Sequence, residues 1–144
     1  MAGPLSVLGY LAGVITGGIQ LSRSLYEIIQ LAKNAPLEIA ELASEVSFLS
    51  HVLSTVSDVL QEGQGLYTKH MLWEIQQITS RIKLSHKELR KLTKSGRNRS
   101  VQKFAWMFQS GKAKGLKLKI EGHKTALGLV LSTMQLALHQ SNVL

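Results

Sequence analysis

Apolar residues recur along this chain at helical intervals. Ile39, Leu42, Val46, Leu49, Leu53, Val56 and Leu60 alternate steps of three and four without a break, the spacing that lines one face of a 3.6-residue helix. This pattern predicts a helix over about 36–62, with Glu38, Glu41 and Glu45 near its N-terminal end, where the helix dipole favours negative charge. Upstream, Leu8, Leu11, Ile15, Gly18, Leu25, Ile29 and Ala32, with one gap at Ser22, predict a helix from about 4 to 33. Pro4 suits its first turn, and Asn34-Ala35-Pro36 supplies a cap and a break. Gly63 and Gly65 mark a turn before Leu72, Ile75, Ile78, Ile82, Leu89 and Leu92, a third helix over about 66–94 that Ser95-Gly96 should end. From Gly115, the residues Leu116, Ile120, His123, Leu127, Val130, Met134 and Ala137 define a last helix over about 115–140. No alternating run argues for a strand. The expected architecture is therefore all-α, an up-down bundle of four long antiparallel helices forming one domain over 1–144. The connector Ser95–Gly115 has room for a short extra helix in 98–112.

Composition agrees with a single domain: 144 residues, 44% hydrophobic and 18% charged, suit one core and exclude both a disordered tail and a two-domain enzyme. Charge changes the picture more. The formal +8 hides a split, because residues 1–80 sum to −4, residues 81–124 to +12, and residues 125–144 hold no Asp, Glu, Lys or Arg. Cysteine is absent, which removes disulfides and thiolate chemistry and fits an intracellular protein. The first 22 residues carry no charge, yet they lack a basic n-region and an A-x-A pattern, and Ala2 departs from the myristoylation pattern. The segment is expected to be retained.

Candidate chemistry is sparse. His51, His70, His86, His123 and His139 are scattered, with no HExxH or carboxylate pair at ligand spacing, and read as surface or bundle-edge histidines. Gly111-Lys-Ala-Lys-Gly115 lacks the GK[ST] ending of a phosphate loop, and no nucleophile elbow is present. The glycosylation pattern at Asn98-Arg99-Ser100 reads as chance. No catalysis, metal, cofactor or small-molecule substrate is expected.

Three features remain. Gly9, Gly13 and Gly17 fall four apart and form a smooth stripe on a helix, surrounded by Leu5, Leu8, Leu11, Val14, Ile15 and Ile19. With Gly18 they handicap that helix by about 4 kcal/mol relative to alanine. Either close packing inside the bundle compensates, or the segment also packs against copies of itself in lipid. An uncharged stretch of 22 residues reaches about 33 Å, against a hydrocarbon core near 30 Å. The second feature is the basic block. Lys83, Lys87, Arg90, Lys91 and Lys94 project away from the Ile82/Leu89/Leu92 stripe, Arg97, Arg99, Lys103, Lys112 and Lys114 continue it, and Lys117, Lys119 and Lys124 follow. Only Glu88 and Glu121 interrupt it. Solubilisation, anionic lipid and nucleic acid all fit such a face, and contact with anionic lipid through residues 83–114 is the reading taken forward. The third feature is Phe104-Ala-Trp106-Met-Phe108 between lysines, which suits a membrane interface or a hydrophobic plug at one end of the bundle.

The opening Met1-Ala-Gly-Pro-Leu-Ser-Val-Leu, with Ala12-Gly13-Val14-Ile15 and Ser24-Leu-Tyr26, resembles the start of the fungal HeLo-like domains. The Leu49–Leu60 stretch, Trp106 and Glu121-Gly-His123-Lys124-Thr-Ala-Leu127 agree, so the resemblance covers the whole chain. It implies an α-helical effector domain of fungal NOD-like receptors and related cell-death proteins, involved in heterokaryon incompatibility and innate immunity. Such domains are held to oligomerise and permeabilise the plasma membrane through a glycine-rich first helix. The implied partners are anionic membrane lipids, further copies of the domain, and an upstream NOD-like receptor or amyloid-motif signal, with the protein cytoplasmic at rest and at the plasma membrane when activated. The chain ends at Leu144 with no nucleotide-binding domain or amyloid motif, so an excised domain is expected. Two alternatives stay open: an adaptor that binds another helical domain without entering lipid, and, more weakly, nucleic-acid binding through the 81–124 face.

Overall fold

The computed structural model describes residues 3–31, 37–63, 65–97 and 112–143. They form α1 (Pro4–Leu31), α2 (Leu37–Glu62), α3 (Lys69–Arg97) and α4 (Lys112–Val143), an all-α four-helix bundle with no strand among the described residues. The first two boundaries lie close to the sequence expectation. Helix α3 begins later than expected, because residues 65–67 turn: Gly65 has φ 90°, the Leu66 amide donates to the Gly63 carbonyl at 3.0 Å, and the Tyr67 hydroxyl donates to the Val59 carbonyl at 3.1 Å. Thr68 caps the new helix by accepting the Met71 amide at 3.1 Å. Helix α3 also continues through Ser95 and Gly96, where a helix end was expected; the left-handed backbone with which a glycine commonly ends a helix is absent there, since Gly65 alone among the described residues has positive φ. The short helix allowed for in 98–112 falls almost wholly outside the described residues; Lys112 already belongs to α4.

Helix directions alternate along the chain, but spatial neighbours do not follow chain order. Helix α1 runs antiparallel to α2, since Ser22 meets Ala43 while Gly18 faces Ser50. Helices α1 and α3 are adjacent and parallel, with Lys83 over Tyr10 and Arg90 against Gly17. Helices α2 and α4 are parallel neighbours too, as Glu41–Lys117 and Glu45–Lys124 show, and α3 and α4 are antiparallel through Ser85–His123 and Glu88–Lys119. The bundle is two antiparallel helix pairs, α1 with α2 and α3 with α4, laid face to face, so that α2 and α3 lie across its diagonal.

The core stripes are regular. On α2 every position of the expected stripe from Ile39 to Leu60 is buried. On α4 the buried residues are Leu116, Ile120, Leu127 and Met134. On α1 the buried face is Val7, Leu11, Val14, Gly18, Leu21, Leu25 and Ile28, steps of four and three throughout. The sequence stripe through Leu8, Ile15 and Ile29 was rotated from it, and those three residues are half-buried. Helix α1 is apolar on most sides, so its period establishes a helix without marking which side faces inward.

The charge zones are partly structural. The acidic start of α2 lies along the basic start of α4 because the two helices are parallel: Lys117 reaches Glu41 at 2.6 Å, and Lys124 reaches Glu45 at 2.5 Å while its ammonium lies 5.0 Å from the Phe48 ring centroid. Lys119 meets Glu88 at 3.4 Å. Half-exposed pairs of this kind contribute roughly 0–1 kcal/mol each, so their main effect is to register the helices.

Candidate functional site

The glycines of α1 divide into two pairs with opposite surroundings. Gly9 and Gly13 are exposed, and a Cβ at either would meet no described atom within 4 Å. Gly17 and Gly18 are buried: a Cβ at Gly17 would strike the Arg90 guanidinium, and one at Gly18 would strike Ser50 Oγ and stand 2.9 Å from His86 Cε1. Of the four, Gly18 is therefore the one packed closely against its neighbour helices, whereas Gly17 is covered by the end of the exposed Arg90 side chain. Gly18→Val is expected to destabilise by about 1–3 kcal/mol through overpacking, while Gly9→Ala and Gly13→Ala should each stabilise by up to about 1 kcal/mol. Thermal melts of the three variants check the contrast, which fails if Gly13→Ala costs as much as Gly18→Val.

Gly18 belongs to a polar layer where α1, α2 and α3 meet. His86 is 1% exposed, in the α3 stripe of Leu72, Ile75, Thr79, Ile82, His86, Leu89 and Thr93. Thr79 and Thr93 return their hydroxyl hydrogens to carbonyls of their own helix, at 2.6 Å to Ile75 and 2.8 Å to Arg90. His86 Nε2 and Ser50 Oγ are buried without a described hydrogen-bond partner. Burial, then the Arg90 charge and then His123 push the His86 pKa down to about 4. His123 is lowered as well, by burial and by Arg81 and Lys119, and its Nε2 lies 2.9 Å from Ser85 Oγ. The expectation of surface or edge histidines fails for His86. Its signal was its place in the three-four stripe of α3, between Ile82 and Leu89.

The remaining apolar candidates on α1 separate by depth. Leu11 and Val14 are core residues, Leu8 and Ile15 are half-buried, and Leu5 and Ile19 are exposed. Leu5, Ala12, Ile19 and Tyr26, seven apart, are all exposed and share one outward line next to Gly9 and Gly13. By length and composition the segment Pro4–Gln30 could cross a membrane, and 33% of its most apolar window is buried in the bundle.

Among the predicted cations, Lys83, Lys87, Arg90 and Lys91 are exposed on α3. With position 94 they occupy an arc of roughly 100° beside α1. None of those four has a carboxylate within ion-pair distance among the described residues, in contrast with Lys117, Lys119 and Lys124 on α4. Lys114 is exposed near the start of α4. Lys94 and Arg97 lie in α3 and Lys112 in α4, with side chains outside the described residues; Arg99, Lys103, Trp106 and the rest of the 98–111 connector lie outside them altogether. Between α1 and α3 is a cleft of about 240 Å³ lined by Gly9, Tyr10, Gly13, Val14, Lys83, His86 and Arg90. The exposed glycines thus open onto cations that have no carboxylate partner among the described residues, a juxtaposition that neither sequence feature predicted alone.

These observations define a four-helix-bundle domain whose first helix is both a core element and an exposed small-residue face bordered by positive charge. The chain belongs to the family described as the N-terminal domain of pigment biosynthesis cluster protein PigL, whose profile matches residues 2–144. No curated protein and no solved structure matches the chain.

Proposed function

We propose that this domain is a membrane-acting effector of regulated cell death, in which copies assemble on anionic lipid and expose α1 to the bilayer. The observation that carries this reading is the outer face of α1: Leu5, Gly9, Ala12, Gly13 and Ile19 are exposed, and the cations of α3 beside them lack acidic partners among the described residues. Apolar surface adjoining unpaired lysine and arginine fits the boundary between headgroups and acyl chains, where each cation near anionic lipid contributes about 1 kcal/mol. The resemblance to fungal HeLo-like domains supports the same reading and supplies the cell-death context. In it the protein is cytoplasmic until a receptor or amyloid-type signal clusters it at the plasma membrane, and it carries out no reaction. Small residues at four-residue spacing would let α1 helices from neighbouring copies approach closely within lipid.

Dye release from phosphatidylcholine vesicles containing phosphatidylserine tests the proposal. Gly13→Glu is the informative variant, because a Cβ at Gly13 meets no described atom within 4 Å. Its melting curve should stay near wild type while leakage falls at least tenfold, since a carboxylate at the centre of a bilayer-facing helix costs about 2.5–3.5 kcal/mol. Unchanged leakage, or none from a forcibly oligomerised wild type, would sink the idea. A second reading rests on α4, where Leu118, Leu129 and Leu136 stand exposed on one side. An adaptor docking another helix there would lose its partner on Leu129→Lys and be indifferent to Gly13→Glu.

A further inference from the structure

We propose that the α1–α3 cleft is a binding site for a phosphate group carried on a small organic or lipid scaffold. The cleft's walls are unlike in character. One is α1, where Gly9 and Gly13 leave room for a ligand to approach the helix backbone and where Tyr10 and Val14 offer apolar surface. The other is α3, where Lys83 and Arg90 stand seven residues apart with the buried His86 between them. Two helical turns separate those cations by about 10 Å along the axis. Each leans towards α1, the Lys83 ammonium 5.3 Å from the Tyr10 ring centroid and the Arg90 guanidinium against Gly17, so the two cations bracket the cleft from its ends. Among the described residues, no acidic residue lines the cleft and neither cation is paired.

The ligand class follows from charge and size. A cleft with a cation at either end favours an anion of higher charge, and a phosphomonoester carries about two charges near neutral pH where a carboxylate carries one. Arginine offers a planar fork of donors suited to phosphate oxygens, and lysine adds a point charge. A volume of about 240 Å³ is below the roughly 300–1,000 Å³ usual for drug-sized ligands and cofactors. It nonetheless leaves apolar wall at Tyr10 and Val14 for the carbon atoms that bear the phosphate. The site extends the proposed role of the α3 cations without depending on it, because soluble phosphate esters could occupy it whether or not α1 enters lipid.

The experiment is a titration of the full chain, followed by amide chemical shifts, with inorganic phosphate, glycerol 3-phosphate, and vesicles containing either phosphatidic acid or phosphatidylserine at matched surface charge. Saturable shifts centred on residues 9–14 and 83–90 are expected, together with at least tenfold weaker binding for Gly13→Leu, which fills the cleft, and for Lys83→Gln. Lys119→Gln, whose lysine is paired with Glu88, should bind as wild type. Binding of glycerol 3-phosphate alone identifies a free ester as the ligand; preference for phosphatidic acid over phosphatidylserine identifies a lipid headgroup. The proposal is overturned if no probe gives saturable shifts. It is equally overturned if Gly13→Leu binds as wild type, or if both lipids bind alike with shifts spread over all exposed lysines, because diffuse electrostatics then suffices. Where the titration overturns the site, vesicle leakage by the same protein leaves the membrane function standing.

Discussion

Leu11→Lys should abolish the cooperative fold, whereas Leu5→Lys should leave it intact. Both leucines sit in the same uncharged stretch and look alike by composition. Leu11 is 0% exposed in the core stripe of α1, while Leu5 is 77% exposed on its outer line. Removing a buried leucine's contacts costs about 2–5 kcal/mol. An ammonium in its place adds a desolvation cost of several kcal/mol unless the lysine stem can reach water. A domain of this size has about 5–15 kcal/mol of stability in total, so the sum removes most or all of it. Leu5→Lys should change stability by no more than about 0.5 kcal/mol. Circular dichroism during urea titration reads both variants, and a cooperative transition for Leu11→Lys within 1 kcal/mol of wild type, a margin set by the spread of surface substitutions, would contradict the packing described for α1. The pair also bears on function, because loss of vesicle leakage in Leu11→Lys has a trivial explanation in unfolding, and the same loss in a folded Leu5→Lys does not.

What the sequence made legible follows from how many sides of each helix are polar. Helix α2 carries glutamates, serines and a histidine outside its apolar stripe, so its period indicated both the element and its inward face. Helix α1 offers no such contrast in its first 22 residues, and the expected face was rotated onto Leu8, Ile15 and Ile29. The glycine stripe suffered the same ambiguity: Gly9, Gly13 and Gly17 look equivalent at four-residue spacing, yet the bundle buries Gly17 and leaves the other two open. Charge misled differently. A block of +12 read as one surface, but parallel packing of α2 on α4 gives Lys117 and Lys124 glutamate partners, and Lys119 pairs with Glu88 on α3. Among the described residues, Lys83, Lys87, Arg90 and Lys91 have no such partners. The adjacency of α1 and α3 was out of reach, because helix directions and turn lengths permit either neighbour order, and the cleft exists only in the order adopted.

Acidification is expected to loosen this bundle through His86. Its folded pKa is held down to about 4 by burial and by Arg90 and His123, against about 6.5 for histidine in an unfolded chain. Between those values the unfolded chain binds a proton that the folded one refuses, so stability rises with pH across that window. The contribution is fully present above about pH 6.5, is lost progressively as pH falls towards 4, and amounts to about 3 kcal/mol at 1.36 kcal/mol per unit. His123 is shifted in the same direction and adds to the loss. The location makes the effect specific: His86 meets Gly18 of α1 and lies in one layer with Ser50 of α2, so a charge there strains the contacts that hold α1 in the bundle. His86→Leu removes the titrating group and an unpartnered polar atom, exchanging them for apolar surface in a core position. Urea midpoints for wild type and His86→Leu, measured from pH 7.5 to 4.5, should diverge as pH falls, with the variant losing about 3 kcal/mol less than wild type over the window. Parallel pH profiles would mean that His86 is already solvated or protonated in the folded protein, and the polar layer would then have to be discarded as a source of acid sensitivity.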